Sequence, residues 1–278
     1  MNDNENKKDY ETPLENSPQL QSGGNDEKKK RTAKLILIFI IVFIVVFCGV
    51  YFGIQLFYNK DTPPEVTTEK STAATTQALA ENPIDFEALK KQNSDIYAWI
   101  KVPGTKVDYP IVQSSQDDSF YLKHSAEDKS WSESGAVYTE MVNRKYFRDP
   151  ITVIYGHNGY GDSMFTTLHN FEKEEFFNSH SEFVIYTEGR KLTYQIISAF
   201  KYDDRHIMNS FNFADTTELA KFQDYLQNPE NAVKNVRTDL DTDIDTDSKI
   251  VILSTCITNQ KSNRYLVCGV LIKDEKTN

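Results

Sequence analysis

Cysteine is scarce in this sequence, with three residues among 278. That number is too small for the disulfide framework of a small secreted domain. Cys48 lies within an apolar run, which leaves Cys256 and Cys268 as the cysteines of a folded domain. No His/Cys spacing matches a zinc site. The sequence therefore predicts a fold held by a hydrophobic core, for which 39% apolar and 12% aromatic residues are sufficient.

Basic residues are also fewer than acidic residues. The chain has 31 Lys/Arg against 41 Asp/Glu, a net charge of −10, and residues 1–34 are balanced with seven of each. The acidic excess therefore lies in the remaining chain, which excludes nucleic acid as a partner. The alternating aspartates of residues 239–247 lack the Gly and Glu of a helix–loop–helix calcium site. We interpret them as a solvated acidic loop and predict no metal site.

Only one long hydrophobic run is present, and it is uncharged over residues 35–57. About 20 apolar residues cross a bilayer, and a cleavable signal peptide has a shorter run. A cluster of Lys and Arg at residues 28–34 precedes the run, which predicts a cytoplasmic N-terminus. We therefore expect a single-pass protein of the cell membrane, with its folded domain outside. The predicted parts are a disordered tail (1–34), a transmembrane helix (35–57), a linker (58–82) and a folded domain (83–278).

The folded domain is predicted to be mainly β. Hairpin signals occur at Pro103-Gly104, within residues 97–112, and at Glu188-Gly189-Arg190, between runs at 183–187 and 192–200. Shorter β runs occupy residues 135–139 and 151–155, and a helical pattern covers residues 216–226. Asp85 is a candidate helix cap. With two final strands, the count is about eight strands and few helices, which predicts a closed or nearly closed barrel.

Two apolar runs near the C-terminus, residues 250–253 and 265–272, flank a polar break. Antiparallel pairing about that break places Cys256 opposite Arg264, with Cβ atoms about 4.5–5.5 Å apart. The same register places Cys268 opposite residue 252, about 13 Å along the strand from Cys256. A disulfide needs Cα atoms within about 7 Å, so we predict that Cys256 is a free thiol. A thiol beside a guanidinium makes Cys256 and Arg264 candidate catalytic residues.

His157 is the best candidate base for this thiol. It follows the apolar run at 151–155 and lies between Gly156 and Gly159, which would allow a sharp turn at the end of a strand. The other histidines lie among charged and aromatic residues, and we interpret them as surface positions: His124, His169, His180 and His206.

Three motifs in this order resemble the sortase family. They are IYGHN at residues 154–158, LSTC at 253–256, and Arg264. Further segments are similar to its class B branch, among them DIYAWI at 95–100, PGT at 103–105, DYP at 108–110 and DSMF at 162–165. The likeness extends from about residue 84 to residue 272.

The resemblance implies an eight-stranded sortase-type closed β-barrel and a cysteine transpeptidase of the Gram-positive cell surface, without a cofactor. Cys256 would cleave an NPxTx-like C-terminal sorting signal after Thr and form a thioester, which a peptidoglycan amine would resolve. His157 would be the general acid and base, and Arg264 would hold the substrate and the oxyanion. Residues lining the substrate pocket would be Tyr155, Ser254 and Thr255. We expect residues 202–247 to shield the thioester from water.

Two alternatives remain open from the residues alone. A membrane-anchored cysteine peptidase or amidase of the cell wall would share the Cys and His, and would gain nothing from an amine acceptor. A non-enzymatic adhesin or assembly protein would keep full function after Cys256→Ala.

Overall fold

The computed structural model describes residues 79–159 and 161–278. Four α-helices and nine β-strands lie in this part of the chain. The helices are α1 (Phe86–Gln92), α2 (Glu174–Ser179), α3 (Ile207–Ser210) and α4 (Thr216–Gln227), and 3₁₀ helices cover Phe120–Leu122 and Thr166–Glu172. The strands are β1 (Ile96–Lys101), β2 (Asp108–Val112), β3 (Val137–Tyr138), β4 (Ile151–Tyr155), β5 (Glu182–Thr187), β6 (Arg190–Asp203), β7 (Lys234–Val236), β8 (Ile250–Ile257) and β9 (Gln260–Lys276).

Eight of these strands close into a barrel, which confirms the predicted fold class. Their order is β5-β1-β2-β3-β4-β8-β9-β6, and pairing of β5 with β6 completes the ring. The ninth strand, β7, lies outside the ring and pairs with β6 at Ser198–Phe200. Strand β5 pairs with β6 only as far as Gln195, so the later part of β6 has a free edge for β7.

Both faces of the strands around β8 are buried. Val251 and Leu253 belong to a core cluster that draws residues from every strand of the ring and therefore fills the barrel. Their neighbours Ile250 and Ile252 face outward and pack in a second cluster that includes Leu219, Phe222 and Leu226 of α4. Each such buried side chain contributes about 1.5–3 kcal/mol. Burial on both faces explains why this strand is a continuous apolar run rather than an alternating pattern.

Local sequence signals determine the ends of several elements. Asp85 caps α1, where its Oδ1 accepts a hydrogen bond from the Ala88 amide at 2.9 Å. Asp215 caps α4 in the same way through the Thr217 amide at 2.8 Å. The β5–β6 hairpin turns at Gly189, whose φ of +80° favours glycine. Strands β1 and β2 pair antiparallel, with Lys101 opposite Asp108 on either side of the predicted turn. These observations confirm the predicted hairpins, the helix at the Asp85 cap and the helix predicted over residues 216–226.

The predicted membrane span, residues 35–57, lies outside the described residues, as do the tail and most of the linker. In the part of the chain that the structure describes, no helix has the length and apolar character needed to span a membrane.

Candidate active site

Cys256 lies where β8 reaches the rim of the barrel. The six residues before it, from Ile250 to Thr255, are buried, whereas Cys256 is exposed. The β8–β9 ladder shifts register between Cys256 and Ile257. Irregularities of this kind are common at barrel rims and beside active sites, where they redirect a side chain. Cys256 is free, in a position accessible to a ligand.

Arg264 is the direct cross-strand partner of Cys256, as predicted. Its Nη1 donates hydrogen bonds to the carbonyls of Lys261 and Asn263, each at 3.0 Å. Among residues 79–159 and 161–278, no carboxylate lies within ion-pair distance of this guanidinium. The remaining donors can therefore bind an oxygen of a ligand beside the thiol.

His157 reaches the same rim through the parallel pairing of β4 with β8. Tyr155 is paired with Ser254, and the Gly156 amide donates to the Ser254 carbonyl at 3.1 Å. Continuing this register by two residues places His157 level with Cys256. Position 156 is confined to glycine because an added Cβ would lie 2.5 Å from the Phe165 ring.

One hydrogen bond defines the tautomer of His157. Its Nε2 lies 2.7 Å from the Leu122 carbonyl oxygen, which can only accept. Nε2 therefore carries a proton, and Nδ1 is the ring nitrogen that is available for proton transfer.

A single cavity of about 260 Å³ brings all the candidate residues together. His157, Cys256 and Arg264 line it, and so do Tyr155, Ser254 and Thr255. Thr255 is 2% exposed, and its hydroxyl has no hydrogen-bond partner in the described part of the chain. That oxygen is itself buried, and an unpaired buried hydroxyl is costly. One wall comes from the end of β6, at Tyr202, and from the segment after it, at Arg205 and His206.

His169 holds the backbone of Cys256, a role that the sequence pattern did not predict. Its Nε2 donates to the Cys256 carbonyl at 3.0 Å, and its Nδ1 lies 2.6 Å from the Glu172 carboxylate. The Asn158 amide donates to the same carbonyl at 3.1 Å. Two donors on one carbonyl fix the end of β8, and with it the position of the thiol.

His169 and His206 are partly exposed, as the interpretation of surface positions implies, but that interpretation missed their contacts in the site. His206 lines the cavity, and its Nε2 lies 2.7 Å from the carboxylate of Glu140, which is largely buried. No spacing pattern could have revealed either contact, because the partners are 87 and 66 positions apart.

The two cysteines of the domain should differ sharply in reactivity. Burial raises the pKa of Cys268 to about 12, and its side chain is fully buried. Because only the thiolate is nucleophilic, we expect iodoacetamide to label Cys256 and spare Cys268 in the folded protein lacking residues 1–78. Peptide mapping by mass spectrometry measures the labelling of each cysteine. The control is protein unfolded in guanidinium, in which both cysteines should be labelled. Labelling of native Cys268 at a comparable rate would contradict the described burial.

Comparison with known proteins agrees with this geometry. The sortase domain family model matches residues 100–272. The sortase B of Listeria monocytogenes is 28% identical over 79% of this chain and 89% of its own length. A Streptococcus pyogenes class B sortase involved in pilus biogenesis is 33% identical, covers 68% of this chain and 98% of its own, and superposes with a TM-score of 0.56.

Another similar structure was solved with a ligand. A sortase B solved in complex with triglycine is 25% identical over 68% of this chain and 85% of its own, with a TM-score of 0.58. The family match covers more than half of the chain and includes the complete cavity rim. The chain therefore belongs to the sortase family, in its class B branch, and is a cysteine transpeptidase.

Proposed function

We propose that this transpeptidase cleaves an NPxT-like sorting signal of exported proteins after Thr and transfers them to an amine of peptidoglycan. The proposal rests on one observation, which is that Cys256, His157 and Arg264 line the same cavity. A nucleophile, a proton carrier and a cationic donor are the groups that acyl transfer requires.

The first half of the reaction forms a thioester. As the Cys256 thiol gives its proton to Nδ1 of His157, the sulfur attacks the carbonyl carbon of Thr. The carbon–sulfur bond forms, and the carbonyl becomes an oxyanion. The free donors of Arg264 stabilise that oxyanion. The carbon–nitrogen bond then breaks, and Nδ1 of His157 gives a proton to the leaving amine. The thioester remains on Cys256, and the C-terminal part of the signal departs.

The second half restores the enzyme. An incoming amine attacks the thioester carbon while Nδ1 of His157 accepts the proton that the amine loses. The carbon–sulfur bond breaks, the departing sulfur takes that proton back from Nδ1, and the new amide joins the exported protein to the cell wall. An amine acceptor is supported by the triglycine complex of the related sortase B. Residues 202–207 form a wall beside Cys256, which supports the predicted shielding of the thioester.

Substrate contacts are proposed for the residues beside the catalytic groups. Tyr155, Ser254 and Thr255 line the cavity next to Cys256. Burial raises the pKa of Tyr155, so its phenol stays protonated, and its side chain forms part of the cavity wall that faces the peptide.

The proposed location is the outer face of the cell membrane. The uncharged run at residues 35–57, with basic residues before it, supports a single span with a cytoplasmic N-terminus. The catalytic domain then lies outside, where exported proteins and cell-wall amines are found.

The test uses the protein lacking residues 1–78 and a peptide with an Asn-Pro-x-Thr-x core. Hydroxylamine is a strong amine acceptor, so we expect a hydroxamate ending at Thr, detected by mass spectrometry. Omitting hydroxylamine is the control, and the rate of peptide consumption should then fall because water is a poorer acceptor. Cleavage that yields only the carboxylic acid, unchanged by hydroxylamine, would contradict transfer and favour a peptidase.

A further inference from the structure

The loop between β3 and β4 combines exposed apolar side chains with positive charge. We call residues 141–149 the basic loop. Its sequence, MVNRKYFRD, contains three Lys/Arg and one acidic residue, whereas residues 79–278 as a whole contain 22 Lys/Arg and 31 Asp/Glu. Met141, Val142 and Tyr146 are 46%, 54% and 77% exposed. A net positive, apolar loop is therefore exposed on a domain whose acidic residues outnumber its basic ones.

A cleft of about 360 Å³ lies against this loop and is lined by four cations. Two of them are neutralised, since Lys90 pairs with Glu188 and Arg190 pairs with Asp274. The other two come from the basic loop. Across the described residues, neither Lys145 nor Arg148 has a carboxylate within ion-pair distance.

Aromatic rings complete the cleft. The Lys145 ammonium lies 5.6 Å from the centroid of the Tyr97 ring, a cation–π contact that holds it in place. Tyr146 also lines the cleft and is the most exposed large apolar side chain of the described domain. The cleft therefore offers two unpaired cations beside an exposed ring.

The cleft lies away from the catalytic cavity, at the other end of β6. Arg190, at the first residue of β6, lines the cleft, whereas Tyr202, near its last residue, lines the catalytic cavity. These two residues are twelve positions apart on the strand, whereas Glu140 of the cavity and Lys145 of the cleft are five positions apart along the chain. The cleft and the cavity are therefore separate sites on neighbouring parts of the barrel. The chain also enters the domain beside the cleft, because the Asn82 side chain donates to the carbonyl of Thr187, another lining residue.

We infer that the basic loop and its cleft bind the phosphate groups of anionic phospholipids at the membrane surface. The inference rests on the proposed membrane location, because it requires the domain to be outside and tethered at its N-terminal side. Clustered Lys/Arg attract anionic headgroups, and Tyr with apolar neighbours partitions into the headgroup region. A free anion would satisfy the cations and leave Met141, Val142 and Tyr146 in water, so a lipid surface fits the loop better.

Vesicle binding by the protein lacking residues 1–78 tests the inference. The remaining residues contain the complete barrel, and the matched chain of the Streptococcus pyogenes relative corresponds to this region over 98% of its length. Sedimentation is measured with phosphatidylcholine vesicles, with and without phosphatidylglycerol. We expect binding only with phosphatidylglycerol, weakening as salt is added.

The charge-reversed variant Lys145→Glu/Arg148→Glu should bind these vesicles about 25-fold more weakly or worse, since each cation lost at a membrane surface costs about fivefold. The matched control Lys173→Glu/Lys221→Glu reverses two exposed lysines elsewhere and should bind as the parent does. Equal weakening in both variants, or no binding of the parent at low salt, would overturn the inference.

Two further experiments complete the test. The first distinguishes lipid phosphate from free phosphate, and the second distinguishes the lipid inference from the proposed function. Millimolar inorganic phosphate, at constant ionic strength, should not displace the protein from vesicles. Displacement would reassign the cleft to a free anion and overturn the lipid proposal. Cleavage of the soluble sorting peptide should be within about twofold of the parent in Lys145→Glu/Arg148→Glu, because neither residue lines the catalytic cavity. If the parent protein transfers the peptide but does not bind vesicles, only the lipid inference is contradicted, and the proposed function stands.

Discussion

Cys256→Ala abolishes peptide transfer in our first prediction, with a fall in turnover of about 10⁴-fold or more. Alanine removes the nucleophile at the cavity rim and leaves the paired backbone of β8 and β9 unchanged. Because no thioester can form, the acyl adduct seen by mass spectrometry after mixing with peptide should also disappear. Binding of the peptide should persist, since Tyr155, Ser254 and Thr255 remain.

Cys268→Ala is the matched control for this variant. Cys268 lies on the neighbouring strand opposite Ile252, fully buried on the outer face of the barrel. We expect it to cost about 1 kcal/mol of unfolding free energy, from lost packing, and to leave turnover within about twofold. Adduct formation in Cys256→Ala, or comparable loss of turnover in Cys268→Ala, would refute the assignment of Cys256 as nucleophile.

His157→Gln lowers turnover by about 10²- to 10⁴-fold in our second prediction, the range expected for losing a general acid and base. The glutamine amide can still donate to the Leu122 carbonyl, as Nε2 does now at 2.7 Å. It offers no group that exchanges protons at the position of Nδ1. The effect should therefore fall mainly on kcat, while KM for the peptide changes little.

A leaving-group comparison isolates the proton transfer. A thioester or activated ester substrate has a leaving group that needs no proton. At a pH of about 9, where an ordinary thiol is largely ionised without a base, acylation of His157→Gln by such a substrate should recover most of the parent rate. His180→Gln is the control, because His180 contacts Phe176 and Ser179 and does not line the cavity. If His157→Gln kept more than about a tenth of the parent activity, His206 would become the candidate proton carrier.

The family of this protein and the geometry of its cavity rest on different evidence. The motifs at 154–158 and 253–256 and Arg264 indicate the family from the sequence alone, and the family match agrees. The geometry adds which ring nitrogen of His157 is free and which groups hold the Cys256 carbonyl. Those details make the His157→Gln prediction specific, since they explain why glutamine rather than alanine is the informative substitution.

Local pairing could be read from the sequence because short turns fix strand register. The β8–β9 hairpin pairs Cys256 with Arg264, and the β5–β6 hairpin turns at Gly189, as their turn signals predicted. Continuous apolar runs also indicated strands buried on both faces. Strand β7, by contrast, has three residues with the sequence KNV, which is too short and polar to show a pattern.

Contacts between distant segments were decided by the tertiary structure. His157 and Cys256 lie 99 positions apart and share a rim because β4 packs parallel to β8, a pairing with no connecting turn to set its register. His169 reaches the Cys256 carbonyl for the same reason, and the basic loop meets Arg190 only once the barrel closes. The sequence by itself therefore determined the elements, their hairpins and the residues capable of chemistry. The arrangement of those residues around the cavity came from closure of the barrel. The free energy that stabilises this arrangement is distributed over contacts between side chains that are far apart in the sequence.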